Sequence, residues 1–542
     1  MDFKKELENS LKKVIKEDFQ LELPKNKEFG DFSLPCFKLN RKPEEFEKGI
    51  KLPDFIEKIE IKGAYLNFYL KQQILIEQTL KEILKEKELY GSSNQGKGKK
   101  ALIEHTSINP NASPHIGRSR NAIIGDAIAG LFKFEGYNVE THYYVNDIGK
   151  QIAMLVLASE GKKVTFNKLL GLYVEFNKKL EKSDKLEKEI FSLLSKLEKG
   201  DLKTKKQFKD MVDVCIKGQS KIMKELGIEF DYFDYESKFL FNKGVDKIIE
   251  LLKKTNKTFI DDENRLCINL KEFNLPMKSP ILPLTRSDGT SMYMLRDVAY
   301  TIEKLERSKE NNILVLGEDQ KLYFQQLKAL LSLLKKEAPR PIHYSFVLLN
   351  SGKMSTRKGH VVLLEDFMKE IENETKQEIK KRKKTKVTDQ LVKIIAHGAL
   401  KFALLKVSAE RNVNFNLGEA ISFETESSPY VQYAYVRAMS VLKKAKKYKY
   451  SYSLPTQEER GLIKKLAQYP EVIKESTKNL QVHNIVNYSL ELAKIFNEFY
   501  QNCPVLTENE EFKNSRLTLV EATTHVLKSS LKILGINCPD KM

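Results

Sequence analysis

The chain has 542 residues, 41% of them hydrophobic and 31% charged, with a formal net charge of +19 and a pI near 9.2. That length allows more than one domain and a substantial core, and the excess of Lys and Arg points to a polyanionic partner, although lysine is spread along nearly every segment. The five cysteines (36, 215, 267, 503, 538) form no C-x-x-C pair, and no run of about 18 apolar residues occurs, which argues against a disulfide framework, a zinc or other structural metal site, and a membrane span.

In chain order, Phe3, Leu7, Leu11, Val14 and Ile15 predict an amphipathic helix inside a small N-terminal domain over residues 1–90. Met1 to Gln20 alternates charged and apolar residues, unlike a signal peptide, so a cytoplasmic protein with reduced thiols is expected. Gly91-Ser92-Ser93-Asn94-Gln95-Gly96-Lys97-Gly98 has linker composition and marks the end of that domain, with 91–99 as the boundary. Ala101 to Thr106 reads as a short strand, and the Asn/Pro/Ser-rich run Ser107 to Pro114 as a turn-forming connection. Ile116, Ile123, Ile124, Ala127, Ile128 and Leu131 then make the buried stripe of a helix that ends at Gly136, before a strand from Val139 to Val145. This strand–loop–helix–strand unit is the first half of a nucleotide-binding fold. His115 and Gly117 stand at the positive end of its helix, where free N–H groups suit a triphosphate and a glycine admits a close ligand.

Residues from about Ala153 to Lys224 read as charged helices, part of an insertion spanning about 153–285 with no chemistry that the residues disclose. Tyr293 and Asp297 are four apart in a helical stretch and so face the same way. A strand over 313–316, a helix from Gln320 to about Leu334 and a strand over 343–349 come after it. Next is Gly352-Lys353-Met354-Ser355-Thr356-Arg357-Lys358-Gly359, with three cations between glycines. The basic run Lys380 to Lys384 sits in a linker over 376–386. Beyond Val387 the apolar spacing of Leu391, Ile394, Ile395, Ala399, Phe402 and Leu405 predicts a helical bundle over 387–542.

The loop Ser113-Pro114-His115-Ile116-Gly117-Arg118, with Lys353-Met354-Ser355 more than two hundred residues later, resembles the two signatures of class I aminoacyl-tRNA synthetases. Further stretches are similar to arginyl-tRNA synthetases: Glu104-His105-Thr106-Ser107 with Asn109-Pro110-Asn111, Arg120 to Asp126, Val145 to Gln151, Asp288-Gly289-Thr290 with Tyr293 and Arg296-Asp297, Gly317-Glu318-Asp319-Gln320, and Pro429 to Ala434. Phe29 to Ser33 and Gly63 to Phe68 resemble the α/β module that these enzymes carry ahead of the catalytic domain, where it contacts the tRNA elbow. The resemblance runs from about Phe29 to Met542. It implies a multidomain protein with a small N-terminal α/β domain, a Rossmann-like α/β class I catalytic domain over 100–375 carrying the insertion, and a C-terminal all-α anticodon-binding bundle.

The function implied is ATP-dependent activation of L-arginine and its transfer to the 3′ end of tRNA(Arg), with tRNA needed for activation and ATP accompanied by Mg2+. His115, Lys353 and Arg357 are the implied catalytic cations and donors, and Gly117, Arg118, Met354 and Ser355 complete the ATP site. Glu104 and Asn109 are expected at the amino and carboxylate ends of arginine, Asp297 at its guanidinium with Tyr293 beside it, and Gln320 closing the pocket. Tyr430, Gln432 and Tyr433 either stack on anticodon bases or pack between helices. Arg118 stands where the family has a second histidine, and Thr356 where it has a second lysine. A monomer is expected. Two competing readings are a class I synthetase for another amino acid, disfavoured by Asp297, and a tRNA-binding paralogue without activity, in which Arg118 would merely pair with a carboxylate such as Asp126.

Overall fold

The computed structural model describes residues 3–24, 29–47, 50–308, 310–349, 362–382 and 386–542. The N-terminal stretch forms helix α1 (Phe3–Leu11), strand β1 (Phe32–Pro35), the single turn α2 (Glu44–Glu47), strands β2 (Ile56–Lys62) and β3 (Tyr65–Leu70), and helix α3 (Gln72–Glu86). Helix α1 buries Phe3, Leu7 and Leu11, a stripe repeating every four residues, and stops before Ile15, which is buried without being helical. The three strands make an antiparallel sheet in the order β1-β3-β2, with Gly63 at φ 60° in the tight turn between β2 and β3.

The next region opens with strand β4 (Lys100–Glu104), helix α4 (Ile116–Phe134), strand β5 (Asn138–Val145) and four helices, α5 (Lys150–Ala158), α6 (Phe166–Leu180), α7 (Asp184–Glu198) and α8 (Leu202–Glu225). Strand β6 (Tyr232–Tyr235), helices α9 (Ser237–Phe241) and α10 (Gly244–Lys253), and strands β7 (Thr258–Ile260), β8 (Leu266–Asn269) and β9 (Ile281–Pro283) come after them. Helix α11 (Tyr293–Arg307), strand β10 (Asn312–Gly317), helix α12 (Lys321–Leu333), and strands β11 (Arg340–Tyr344) and β12 (Val347–Leu349) complete the second half.

Five strands form a parallel sheet ordered β11-β10-β4-β5-β6. The chain runs outward from β4 to β5 and β6, then returns to the other side of β4 as β10 and β11, so the order reverses between β4 and β10. Ala101, Leu102 and Ile103 in β4 and Ile313, Leu314 and Val315 in β10 are all buried, the continuous apolar runs of a sheet covered on both faces. Within the expected insertion, β6 therefore belongs to the main sheet, and β7, β8 and β9 form a small antiparallel sheet of their own.

The strand expected over 343–349 is two strands. β11 lies in the main sheet, whereas β12 leaves it at Ser345 and pairs in parallel with strand β13 (Val413–Phe415). Around β13 stand helices α13 (Leu364–Lys381), α14 (Asp389–Leu405) and α15 (Leu417–Ala420), and the chain ends in α16 (Ser428–Ala445), α17 (Gln457–Ala467), α18 (Tyr469–Asn479), α19 (His483–Asn502) and α20 (Glu510–Ile533).

Contacts divide the chain into two units, residues 1–91, 431–472 and 488–529 in one, and residues 92–430, 473–487 and 530–542 in the other. In the first, Arg516 pairs with the buried Glu459 at 2.7 Å, Lys464 with Asp31 at 2.7 Å, and Tyr90 stacks on Tyr469. In the second, the last turn of the chain closes on α4: Lys401 binds both Asp126 at 3.0 Å and the Gly535 carbonyl at 2.9 Å. A Cβ on Gly130 would meet the Ile533 carbonyl at 2.4 Å, so a glycine is needed for that approach. No helix among the described residues is long and apolar enough to cross a membrane.

Candidate active site

Strand β4 ends at Glu104, two residues short of expectation, because Thr106 and Ser107 take left-handed backbone with φ 77° and 41°. Such a conformation is strained for a β-branched residue and holds only where neighbours fix it. Here the Thr106 N–H donates to Asn121 Oδ1 at 2.6 Å, and Asn121 Nδ2 donates to the Val315 carbonyl at 2.9 Å. Asn121 of α4 thus spans the split between β4 and β10, the position where open parallel sheets bind ligands. The rest of the loop is held from the side. The Ile108 N–H donates to Tyr143 Oη at 3.1 Å, and Gln219 Nε2 in α8 donates to the carbonyls of Asn109 at 3.1 Å and Ala112 at 2.8 Å.

His115 is the residue at which α4 begins, in extended backbone and with its side chain exposed. Lost hydration first, and the Arg118 cation second, lower its pKa from the ordinary 6.5. The ring is therefore neutral at pH 7 and presents one N–H donor beside the free amides of the first turn. A Cβ on Gly117 would lie 3.1 Å from His115 Nδ1, so the glycine leaves the ring its place. Arg118 is half-buried and meets no carboxylate among the described residues. The expected alternative partner, Asp126, is taken by Lys401, because about two turns of helix carry Asp126 away from Arg118.

Lys353, Met354, Ser355 and Arg357 lie outside the described residues. The chain immediately after them is fastened to the first loop: the Ile116 N–H donates to the Val362 carbonyl at 3.1 Å, and the Leu364 N–H to the Pro114 carbonyl at 2.8 Å.

A second cluster lies along the carboxyl ends of β4 and β5. Asp297, in the second turn of α11, accepts the Tyr144 hydroxyl on Oδ1 at 3.0 Å and the Tyr323 hydroxyl on Oδ2. Burial raises its pKa above 3.8; the two tyrosine hydrogen bonds oppose that, and the negative Glu104 adds to it. Around it the other acids have basic partners. Glu104 pairs with the buried Lys304, Glu236 with Arg296 at 2.6 Å, and Asp234 with His142 Nδ1 at 2.6 Å. Lys304 lies 4.3 Å over the Tyr300 ring, which stacks on Tyr144 at 4.5 Å and whose hydroxyl donates to Asp234 at 2.8 Å. Asp297 alone of this group has only hydroxyl donors, with no Lys, Arg or His in contact among the described residues.

Tyr293, the first residue of α11, is exposed and sits against the Arg296 guanidinium at 5.0 Å. Asn109 is exposed, and the half-buried Gln320 turns its amide to Asp319 at 3.1 Å. Tyr144, Tyr323, Lys304, Asn121 and Gln219 escaped the sequence reading. Tyr323 lies three residues past Gln320, within one helical turn, which was its only signal. Gln219 offered none, since a polar residue in an amphipathic helix looks like surface, and Asn121 offered only its place in the stretch Arg120 to Asp126 that resembles the family.

In α16, Tyr430 and Tyr433 are half-buried, and the Arg437 guanidinium lies 4.8 Å from the Tyr433 ring. Gln432, expected to meet a base, is instead completely buried, because it shares the inward face of α16 with Val431 and Tyr435. Arg382 of the basic run covers the Phe423 ring at 4.0 Å. Residues 383–385 lie outside the described residues.

A family model for the catalytic domain of "tRNA synthetases class I (R)" matches residues 79–417, one for the "Arginyl tRNA synthetase N terminal domain" matches 1–70, and one for the "DALR anticodon binding domain" matches 431–542. The chain is 37% identical to an arginine–tRNA ligase of Methanocaldococcus jannaschii over 577 residues, covering all of both chains. It is 38% identical to that of Methanocella arvoryzae over 504 residues, covering 90% of this chain and 88% of the other. Its fold is similar to that of Thermus thermophilus arginyl-tRNA synthetase, with a TM-score of 0.85 at 24% identity over the whole of both chains. The corresponding enzyme of Plasmodium falciparum gives 0.82 at 21% identity, covering 99% of this chain and 98% of the other.

Proposed function

The chain belongs to the class I arginyl-tRNA synthetases and is an ATP-dependent arginine–tRNA ligase, and from this we propose how its residues divide the work. The carboxylate of L-arginine attacks the α-phosphorus of ATP, pyrophosphate leaves, and arginyl-adenylate remains. A ribose hydroxyl at the 3′ end of tRNA(Arg) then attacks the activated carbonyl, and AMP leaves. Little covalent work falls to the protein, so rate comes from alignment and from donors placed where charge builds up.

His115, neutral at pH 7, donates one N–H to the triphosphate beside the free amides of the first turn of α4. Gly117 leaves room for the nucleotide, and Arg118, with no carboxylate on it among the described residues, supplies a cation. Lys353 and Arg357 neutralise the departing phosphates, with Met354 and Ser355 beside them. Mg2+ arrives with ATP, held by phosphate oxygens and water.

Asp297 binds the guanidinium of arginine. The observation that carries this assignment is its half-buried carboxylate, held on both oxygens by tyrosine hydroxyls yet paired with no cation among the described residues, which suits a planar cation that donates paired hydrogen bonds. Tyr293 and Gln320 flank the pocket, and Glu104 and Asn109 take the α-amino and carboxylate ends. Residues 1–90 serve as the elbow-contacting domain, 100–375 as the catalytic domain and 387–542 as the anticodon reader, with Tyr430 and Tyr433 facing bases. The protein works as a monomer and activates arginine only with tRNA bound. Pyrophosphate exchange with each amino acid in turn, with and without tRNA, tests this: exchange is expected with arginine alone and only when tRNA is present. Exchange with arginine in the absence of tRNA would remove the tRNA requirement, and exchange with another amino acid would remove the pocket assignment.

A further inference from the structure

Arg120 is among the largest completely buried side chains of the protein, and no carboxylate pairs with it among the described residues. Its guanidinium binds backbone instead. Nη1 donates to the carbonyls of Ser345 and Arg411, both at 2.7 Å, and Nη2 donates to the Ser408 carbonyl at 3.0 Å. A buried cation without a carboxylate in direct contact is costly, and the more distant Glu318 offsets only part of that cost. Burial lowers the Arg120 pKa to about 10, and the group stays charged at neutral pH. Three charge-assisted hydrogen bonds from one rigid planar fork offset part of that cost, and no other side chain presents donors in that geometry.

The carbonyls it holds lie at one junction. Ser345 is where the chain leaves β11 for β12. Its N–H donates to the Ala409 carbonyl at 2.9 Å, and its hydroxyl lies within reach of Glu318 and of the Glu410 carbonyl at 2.6 Å. The Phe346 N–H donates to Asn412 Oδ1 at 3.1 Å, and the Val413 N–H returns to the Phe346 carbonyl at 2.9 Å. Strand β12 is therefore tied to the 408–415 segment rather than to the main sheet, and Arg120 ties both to the second turn of α4, the helix that His115 begins. Downstream of residue 361 the chain is bonded to the same helix start, Val362 to Ile116 and Leu364 to Pro114. The two described ends that flank Lys353 and Arg357 in sequence, Leu349 and Val362, are thus both referred to α4.

We infer that Arg120, through its grip on the Ser345 junction, is a positioning residue for adenylate formation: it sets strand β12 in register with the helix that presents His115. A misplacement of about 1 Å in such a frame can cost a hundredfold in rate. The arginine pocket is built on α11, α12 and the ends of β4 and β5, to none of which the Arg120 guanidinium bonds, so the effect should fall on turnover and ATP more than on arginine. The inference rests on the assignment of Lys353 to the phosphates.

The test uses the full chain with tRNA in pyrophosphate exchange, with kcat and both KM values measured for Arg120→Met, Arg120→Lys, Ser345→Ala and, as a reference, Lys353→Ala, alongside melting curves. Arg120→Met should lower kcat roughly ten- to a hundredfold with the KM for arginine changed less than about twofold, and Arg120→Lys, which keeps a charge but not the fork, should recover part of the loss. Ser345→Ala keeps the gripped carbonyl but loosens the junction, and should show the same pattern at about threefold or more. A folded Arg120→Met protein with kcat within about twofold of wild type overturns the inference, as does a fall in kcat no larger than the unfolded fraction read from the melting curves, since unfolding removes active enzyme and leaves KM unchanged. If Arg120→Met does not fold, Arg120→Lys and Ser345→Ala decide by the same criterion. Wild-type turnover in Lys353→Ala would instead refute the phosphate assignment itself, whatever the Arg120 variants show.

Discussion

Asp297→Asn keeps the shape of the side chain and removes its charge. In the native protein both oxygens accept tyrosine hydroxyls, and Glu104 stands near enough to raise the carboxyl pKa further. Those hydrogen bonds favour the carboxylate against the cost of burial, and on the proposed assignment arginine brings the site its cation. Two hydrogen bonds between a guanidinium and a carboxylate, at about 1.5–3 kcal/mol each, become at best one bond to a neutral amide oxygen in the mutant, whose amide also turns a donor toward the guanidinium. The expected loss is about 3–4 kcal/mol, or two to three decades in arginine affinity and in kcat/KM for arginine. ATP affinity should hardly change. Stability should move the other way. The folded-state pKa of Asp297 lies above its unfolded value, so this group's contribution to stability is largest at acid pH and is lost as pH rises through the folded pKa. Asparagine carries no such penalty, and the mutant should melt at or above the wild-type temperature at pH 7–8, with the difference fading toward pH 4. Arginine titration by calorimetry with tRNA present, together with melting curves across that pH range, checks both halves. Unchanged arginine affinity would show that the guanidinium binds elsewhere, and a lower melting temperature would show that the carboxylate has a structural role instead.

His115→Ala should slow adenylate formation by roughly ten- to a thousandfold, the range for one preorganised donor, with the melting temperature unmoved, since the side chain is exposed; single-turnover exchange measures it. Arg118→Ala should lose about 1.5–3 kcal/mol of transition-state stabilisation, and Arg118→His should retain part of the activity; a wild type with robust turnover matched by Arg118→Ala would remove this residue from the site. His105 is buried against Phe230, with its pKa lowered to about 4 by burial. Its folded pKa lies below the unfolded 6.5, so the stability it contributes is present above pH 6.5 and is lost as pH falls toward 4, about 2 kcal/mol by pH 5. Urea unfolding at pH 7 and pH 5 should show that loss in the wild type and less of it in His105→Gln; equal losses in the two proteins would mean that other groups dominate the acid limb.

Local pattern was enough for the parts of this protein whose chemistry is local. The apolar spacing after His115 determined helix α4, the short apolar runs at Ala101 and Ile313 marked strands β4 and β10, and the two signature loops with Asp297 pointed to the family and to arginine. What stayed hidden depends on which distant backbone and side-chain groups meet. Nothing around Ser345 marks the break between β11 and β12, because the groups that stop the strand, Arg120 and the 408–412 turn, come from far away in the chain. Likewise Asp126 looked like a partner for Arg118 until Lys401 and Gly535 were brought to it, and Gln432 looked like a base reader until the packing of α16 turned it inward. The tyrosine hydroxyls on Asp297 come from β5 and α12, more than 150 residues before it and 26 after it. Periodicity records which face of an element is apolar, because burial of that face is a property of the element alone. The partner of a buried polar group is chosen by the whole fold, since an unsatisfied donor or charge there costs more than most packing contacts return, and only the tertiary structure decides it.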